Sequence, residues 1–265
     1  MPRLLLTLTL LLTAGAASAG EVRIAWFGQS MFEIVTPRGT RIVTDPHNIE
    51  AFRVKPVRAD LVLMSHLHSD HTQLVSIENA KEAIQYNALK KSGADGLVID
   101  WNVVDETVKD VRIESIPCYH DAMSGLQRGK NGIWVIDVDG LRIAHLGDLG
   151  HLLTKAQLKK LGAVDVLMVP VGGVYTLNGL EAYKVVEQIK PKRYILPMHY
   201  GNIIYDELLP VKTFQDECVD AEIPVRTLKP GEPLKVDAKT PVPARPTLAI
   251  LHYLSGGLEI KKPKK

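Results

Sequence analysis

The sequence predicts an α/β fold in one large domain. Short β-rich runs dominate the first half of the chain, and helical patterns alternate with buried apolar strands in the second half. The chain has 265 residues, of which 46% are hydrophobic and 23% are charged. This length and composition are typical of a globular domain with a sizeable core.

The first half is predicted to begin with an antiparallel meander, because three β-rich runs are joined by Gly28-Gln29-Ser30 and by Pro37-Arg38-Gly39. A continuous apolar run at 60–64 predicts a strand that is buried on both faces. The segment 77–91 is predicted to be helical. The strands predicted in this half are residues 22–27, 31–35, 40–44, 60–64, 98–101 and 111–116.

The second half is predicted to begin with a hairpin around Asp139-Gly140. A helix follows, with Thr154 as its N-cap and Gly162 just after its end at residue 161. A second helix is predicted at 180–189. The strands predicted in this half are residues 133–138, 141–146, 164–169 and 194–198.

The two hairpins resemble each other. FEIVTPRGTRIVTD (32–45) and IWVIDVDGLRIAHLGD (133–148) each contain two apolar runs around a glycine turn, and they end in Asp45 and Asp148. We infer a two-fold pseudo-repeat in which each half sends an aspartate to a shared edge. Chance similarity between two hairpins is the alternative.

The ends of the chain differ in composition from the domain at 20–236. Residues 1–19 contain Arg3, an apolar run and Ala17-Ser18-Ala19, which is the pattern of a secretory signal peptide. Cleavage after Ala19 would give a secreted or periplasmic protein; a buried N-terminal helix is the alternative. Residues 237–265 contain TPVPARPT and KKPKK, which predict a Pro-rich linker and a basic tail.

Charge and hydropathy argue against several classes of partner. The net charge is +2, from 32 Lys and Arg against 30 Asp and Glu, so we expect no nucleic-acid partner. No apolar run reaches the roughly 20 residues of a membrane span, so we expect no stable membrane insertion. A small-molecule substrate is expected, and oligomerisation stays open. Cys118 and Cys218 could form a disulfide after export, but free buried thiols are favoured.

The densest chemical signal is MSHLHSDHTQ at 64–73. After an extended strand, His66, His68 and Asp70 can share one side while His71 turns away, so the run could hold two cations. Imidazole and carboxylate suit Zn²⁺, Fe or Mn better than Ca²⁺ or Mg²⁺. A solvated polar loop is the alternative for such a run.

Four ligands in one run do not close a site, so partners are expected after other strands. Three candidates follow predicted apolar strands: His120, Asp148 and His199. In parallel α/β sheets, ligands bind beyond the carboxyl ends of the strands.

The ordered motifs SHLHSDH, His120, HLGDLGH and PMHYG resemble the metallo-β-lactamase superfamily, over about residues 22–201. WFGQS, TDP and VPVGGVYT strengthen the likeness to its branch of ascorbate-6-phosphate lactonase-like proteins and uncharacterised metal-dependent hydrolases. The resemblance implies a four-layer αβ/βα sandwich of two mixed sheets flanked by helices. It also implies the ligand sets, with Asp148 bridging: His66, His68 and His120 for one metal, and Asp70, His71 and His199 for the other.

The expected chemistry is hydrolysis. Two divalent ions roughly 3.5–4 Å apart can hold a water and lower its pKa from ~15.7 toward ~7, and the resulting hydroxide would attack an ester, lactone, phosphodiester or amide. Zn²⁺ is expected, with Mn or Fe as alternatives. Asp70 is the expected catalytic residue, which would orient the hydroxide and shuttle its proton.

Further residues are predicted to support this site. Asp45 would hold a metal-bound histidine by its other N–H; a plain turn residue before Pro46 is the alternative. Four residues are candidates for substrate contact, the glycines through backbone N–H groups near an anionic group, although a tight connector would explain the last three equally well: Gln29, Gly172, Gly173 and Thr176. His145 and His151 are expected to be structural or at the surface.

Two other functions use the same residues. Di-iron redox proteins of this fold typically carry Glu where this chain has His68 and depend on a flavin domain, which we do not expect here. A non-catalytic metal-binding module is the second alternative, and measurable turnover would separate it from an enzyme.

Overall fold

Two large mixed β-sheets and one two-stranded sheet build the described part of the protein, in a computed structural model that describes residues 20–93 and 96–258. The predicted signal peptide and the final KKPKK lie outside these residues. In chain order, the strands are β1 (Val22–Trp26), β2 (Phe32–Val35), β3 (Arg41–Thr44), β4 (Leu61–Met64), β5 (Ile84–Asn87), β6 (Leu89–Ser92), β7 (Val98–Trp101), β8 (Asp105–Val108), β9 (Val111–Tyr119), β10 (Lys130–Val138), β11 (Leu141–His145), β12 (Val166–Pro170), β13 (Tyr194–Met198), β14 (Val225–Thr227), β15 (Leu234–Val236) and β16 (Thr247–Ile250).

The first sheet has six strands in the order β15-β1-β2-β3-β4-β5, and the second has eight in the order β14-β16-β13-β12-β11-β10-β9-β8. In the first sheet β2 pairs antiparallel with β3, which pairs parallel with β4. In the second sheet β10, β11 and β12 repeat this arrangement. The predicted pseudo-repeat is therefore present in the topology.

Strands β1 to β4 of the first sheet are buried on both faces, and alternate residues enter different cores. Ile42 and Leu63 face the main core, which includes residues of the second sheet, whereas Val43 and Val62 belong to a smaller core on the other face. This is the period of two expected of a pleated strand. It explains why β4 reads as a continuous apolar run.

Three α-helices occur in the described part of the chain: α1 (Lys155–Leu161), α2 (Gly179–Ile189) and α3 (Lys212–Asp220). Thr154 caps α1 as predicted, within a capping box that includes Gln157. The helices pack on the side of the second sheet, where α1 contacts β9 and α3 contacts β14 and α2. Within the described residues, none of the helices has the length and apolar character needed to span a bilayer.

The predicted helix at 77–91 is wrong. Part of this segment forms β5, which extends the first sheet beside β4 in parallel, and part forms β6, which pairs with β7. The free edge of β4 offers backbone hydrogen bonds that outweigh the helical pattern of the segment. The outer core of the first sheet is covered instead by turns and by the C-terminal segment around Leu254 and Leu258.

The predicted linker after Val236 is also wrong, because the chain returns to the domain. β16 lies between β13 and β14, and Leu248 is fully buried. Farther on, the backbone N–H of Leu258 donates to Glu33 at 2.6 Å, and Arg41 donates to the carbonyl of Leu258 at 2.5 Å. The many prolines of this segment led to the prediction of a linker, because β16 is buried only by strands that are distant along the chain.

Cys118 and Cys218 are both buried and free. The free-thiol alternative is therefore the arrangement in this structure. Burial raises the pKa of each thiol to about 12, so neither carries thiolate character at neutral pH.

Candidate metal centre

Five strand ends converge at one edge of the sandwich and deliver every predicted metal ligand. Asp45 follows β3, and the run from His66 to His71 follows β4. The other three come from the second half of the chain: His120 after β9, Asp148 after β11 and His199 after β13.

The carboxylate of Asp148 lies at the centre of the cluster. Its Oδ2 atom is 3.1 Å from Nε2 of His120 and 3.1 Å from Nε2 of His199. Nε2 of His71 lies 3.2 Å from the same oxygen, and Nε2 of His66 lies 3.8 Å away. A single oxygen is thus shared by four imidazoles from both halves of the chain.

Three groups of side chains within the described residues bring their ligand atoms within 4.8 Å of one another. Two of these groups are the ligand sets implied by the resemblance, and the third joins them through Asp148. They are His66 with His68 and His120, Asp70 with His71 and His199, and His66 with His71 and Asp148.

Asp45 orients two of the histidines. Its Oδ2 atom lies 2.9 Å from Nδ1 of His71 and accepts a hydrogen bond from the hydroxyl of Ser65 at 2.6 Å. The Ser65 oxygen lies 2.9 Å from Nδ1 of His66, so it can accept from that ring while donating to Asp45. Both rings therefore carry their proton on Nδ1 and present Nε2 to the cluster.

These residues fit a metal ion. Nε2 of His71 is buried and has no hydrogen-bond partner among the described residues, although Nδ1 of the same ring is bonded to Asp45. The ring directs Nε2 at the carboxylates of Asp148 and Asp70, and the charges of Asp148 and Asp45 raise the pKa of His71 well above its usual value against the effect of burial. A bound cation would take the place of the proton on Nε2 and stabilise this arrangement. Five imidazoles and two carboxylates suit Zn²⁺, Fe or Mn.

The charges of the cluster shift several pKa values. Burial raises the pKa of Asp148, but the charges of His199 and His71 outweigh it and hold that pKa well below its usual range. Burial also raises the pKa of Asp70, and its contacts with His71 again bring the net shift downward. Burial and the charge of His71 lower the pKa of His66 well below its usual value. The site is therefore built for anionic carboxylates and a neutral His66.

Backbone strain is concentrated here. Gln29, Asp45 and His199 have φ angles of 48°, 40° and 51°, in the left-handed region that non-glycine residues rarely adopt. The N–H of His199 donates to the carbonyl of Gln29 at 2.9 Å, which holds two of these residues together. The positive φ angles are therefore maintained by the surrounding structure at the place where the predicted metal ligands converge.

The side chain of Gln29 touches the site. Its Nε2 donates to Oδ2 of Asp70 at 2.9 Å, while its Oε1 is buried without a hydrogen-bond partner among the described residues. Gln29 thus orients a predicted ligand. Contact with substrate stays a prediction.

The loop after β12, which contains Gly172 and Gly173, packs against the backbone of His199. A Cβ atom on Gly172 would lie 2.1 Å from the carbonyl oxygen of His199, so only glycine fits there. The N–H of Gly173 donates to the carbonyl of Leu177 at 3.0 Å, and the hydroxyl of Thr176 donates to the same carbonyl at 3.4 Å. These contacts are those of a tight connector, and substrate contact by Gly172, Gly173 and Thr176 stays a prediction.

The remaining histidines have structural surroundings or lie at the surface. Nε2 of His145 donates to the carbonyl of Ser30 at 2.8 Å, and Nδ1 accepts from the N–H of Gly147. His151 accepts from the N–H of Tyr119 at 3.1 Å, and His252 is exposed.

Two polar residues of the site were not predicted. Ser65 lies inside the quoted histidine run, and its position between β4 and His66 is the signal that could have revealed it. Asn131 accepts from the N–H of Asp148 and donates to the carbonyl of Leu146 at 2.9 Å, which fixes the turn that carries Asp148. Nothing in the local sequence marks Asn131.

Comparison with known proteins agrees with this geometry. The family described as "Beta-lactamase superfamily domain" matches residues 23–199, which include every predicted ligand. The chain belongs to the metallo-β-lactamase superfamily. It is similar to a UPF0173 metal-dependent hydrolase of Thermococcus onnurineus, with 30% identity over 81% of this chain and 100% of the relative. It is a metal-dependent hydrolase of this superfamily.

Solved structures support the fold. A protein of Thermotoga maritima, named as a Zn-dependent hydrolase of the superfamily, has 29% identity and a TM-score of 0.61 over 87% of this chain and 98% of its own. A metallo hydrolase of Ignicoccus hospitalis has 22% identity and a TM-score of 0.56 over 82% of this chain and 99% of its own. The predicted metallo-β-lactamase fold of two mixed sheets is therefore confirmed, with the described α-helices on the side of the second sheet.

Proposed function

We propose that this metal-dependent hydrolase is exported and uses two divalent ions, most readily Zn²⁺, to cleave an ester, lactone, phosphodiester or amide bond of a small molecule. The observation that carries the two-ion proposal is the shared oxygen of Asp148. It lies between two separate groups of three ligands, which is the arrangement that a bridging carboxylate requires.

One ion would be held by His66, His68 and His120, and the other by Asp70, His71 and His199. When bound, such ions supply Lewis acidity and lower the pKa of a water toward neutrality. Asp45 would keep Nε2 of His66 and His71 directed at the ions, through Ser65 in the first case and directly in the second.

Asp70 is placed to manage the proton of the attacking water. Its side chain is 34% exposed, whereas that of Asp148 is 3% exposed, so Asp70 is the carboxylate that a water in the cleft can contact. Gln29 donates to Oδ2 of Asp70, and Oδ1 of the same carboxylate would orient a water and accept its proton. Transfer of that proton to the leaving group would complete hydrolysis.

Export is supported by the sequence of residues 1–20 alone. Expression of the full chain with analysis of the extracytoplasmic protein tests it, and a mature N-terminus at Gly20 is the expected result. An uncleaved chain retained inside the cell would contradict export.

Metal analysis combined with an activity panel tests the reaction. The mature protein is expected to bind two ions per chain and to hydrolyse at least one member of a panel of esters, lactones, phosphodiesters and β-lactams, with loss of activity in a chelator. An inactive metal-loaded protein would contradict the proposal. Iron with redox turnover instead of hydrolysis would favour the di-iron alternative.

A further inference from the structure

A groove of about 480 Å³ opens beside the metal centre. His66 and His68 are among its lining residues, so the groove adjoins the candidate metal centre. Leu67, Leu89 and Ile99 give it apolar surface, and three cationic side chains line it as well: Lys91, Arg128 and Lys130. We call this the basic groove.

Within the described residues, two of its three cations have no acidic partner. Nζ of Lys130 lies 3.0 Å from Oδ1 of Asp100 and 4.3 Å from the centroid of the Trp101 ring, so its charge is already compensated. Among the residues that the structure describes, no carboxylate lies within ion-pair distance of Lys91 or Arg128. Two cations without an ion pair to the described residues, placed in a concave surface, concentrate anions there.

Arg128 is held in place before any ligand arrives. Its guanidinium donates to the carbonyl of Val174 at 3.1 Å and lies 4.7 Å from the centroid of the Tyr175 ring. The carboxylate of Asp121 accepts the backbone N–H groups of Arg128 and Gln127 at 2.7 and 3.0 Å, which fixes the loop that carries Arg128. A preorganised guanidinium loses little conformational entropy when it binds a carboxylate or a phosphate.

We propose that the basic groove binds an anionic group of the substrate, a carboxylate or a phosphate, through Arg128 and Lys91. The scissile bond would then lie at the metal centre, and the carbon chain between them would contact Leu89 and Ile99. This inference rests on the proposed hydrolytic function and names the class of substrate: a small molecule with an anion remote from the bond that breaks.

A matched pair of esters tests the preference. Mono-4-nitrophenyl glutarate carries a remote carboxylate, and 4-nitrophenyl pentanoate replaces it with a neutral end. The metal-loaded protein is expected to favour the anionic ester by at least tenfold in kcat/KM, and R128Q/K91Q is expected to bring that ratio close to one, mainly through KM. A wild-type ratio of one, or an unchanged ratio in the double variant, would overturn the proposal.

Two controls isolate the position of the charges. K90Q removes one positive charge, as K91Q does, but from an exposed neighbour that does not line the groove, so it should leave the ratio unchanged. R128K keeps the positive charge but lacks the planar guanidinium group. It should therefore retain much of the preference for the anionic ester that R128Q/K91Q loses. A loss in K90Q equal to that in the double variant would attribute the preference to net charge and overturn the assignment.

Binding separates this inference from the proposed reaction. Calorimetric titration of the metal-loaded protein with glutarate, glycerol 3-phosphate and neutral glutaramide does not depend on turnover. We expect one of the two anions to bind at least tenfold more weakly to R128Q/K91Q than to the wild type, and the anion affected distinguishes carboxylate from phosphate. Equal affinities in both proteins would overturn the proposal even if hydrolysis were found, whereas failure of hydrolysis alone would count only against the reaction.

Discussion

Asp45 and His71 form a buried pair in which Oδ2 of the carboxylate lies 2.9 Å from Nδ1 of the ring. The opposite nitrogen, Nε2, faces Asp148 at 3.2 Å. One carboxylate therefore fixes the tautomer of the ring, while the other lies where a shared metal ligand is expected. The pair joins the two aspartates that end the pseudo-repeated hairpins.

The first prediction concerns Asp45. D45N should lower metal affinity about 10- to 100-fold, since an amide at this position no longer accepts reliably from both His71 and Ser65. Metal titration with a competing chelator measures it. D139N, at the turn of the other hairpin, is the control and should keep wild-type affinity. Unchanged affinity in D45N would show that Asp45 is only a turn residue.

The second prediction concerns the ligand sets. H120A should lose metal mainly from the set that contains His66 and His68, because the other group of three remains intact. D148A should reduce the occupancy of both sets, since its oxygen lies between them. Metal content per folded chain, determined by elemental analysis, tests this. Full occupancy in both variants would show that the site is misassigned.

The third prediction concerns Gly172. G172A places a Cβ atom against the carbonyl of His199, so it should destabilise the protein by about 1–3 kcal/mol and reduce metal occupancy as His199 shifts. Denaturant unfolding and metal analysis measure the two effects. G256A, where an added Cβ meets no atom within 4 Å, is the control. Equal stability of the two variants would contradict the close packing.

The fourth prediction concerns the C-terminal strand. L248A removes a fully buried side chain from β16 and should cost about 2–5 kcal/mol of unfolding free energy. V242A changes a residue of the same segment that is 51% exposed and should have little effect. A negligible change in the unfolding free energy of L248A would contradict the burial of β16 and support the prediction of a linker.

The fifth prediction concerns pH. Burial lowers the pKa of His47 from its ordinary 6.5 to about 4, and its ring is held neutral between the carbonyl of Phe27 and the N–H of Ile49. A depressed histidine pKa means that the unfolded chain takes up the proton first. The contribution of His47 is therefore complete above pH 6.5 and is lost as the pH falls toward 4, by roughly 3 kcal/mol.

Unfolding free energies of wild type and H47Q across that pH range test this. Their difference should shrink as the pH falls, because shared carboxylate titrations cancel. H252Q, at an exposed histidine, should follow the wild-type curve. A constant difference between wild type and H47Q would contradict a neutral buried ring.

The convergence of the metal centre could be foreseen in some detail. His66, His120, Asp148 and His199 each stand just after an apolar strand, and strand ends are a local property of the sequence. Asp45 could be foreseen for the same reason, through the repeat that it shares with Asp148. Ser65 and Asn131 could not, since their roles depend on which side chains the fold brings beside them.

The sequence by itself determined the strands that lead to the metal centre, helices α1 and α2, and the residues that meet at the metal centre, because the burial period and the strand ends depend on neighbouring residues. Only the tertiary structure decided that residues 84–87 extend the first sheet rather than form a helix, and that β16 enters the second. It also decided that Arg128 lies in a groove beside His66. Each of these outcomes depends on a partner distant along the chain, and local propensity carries no information about that partner.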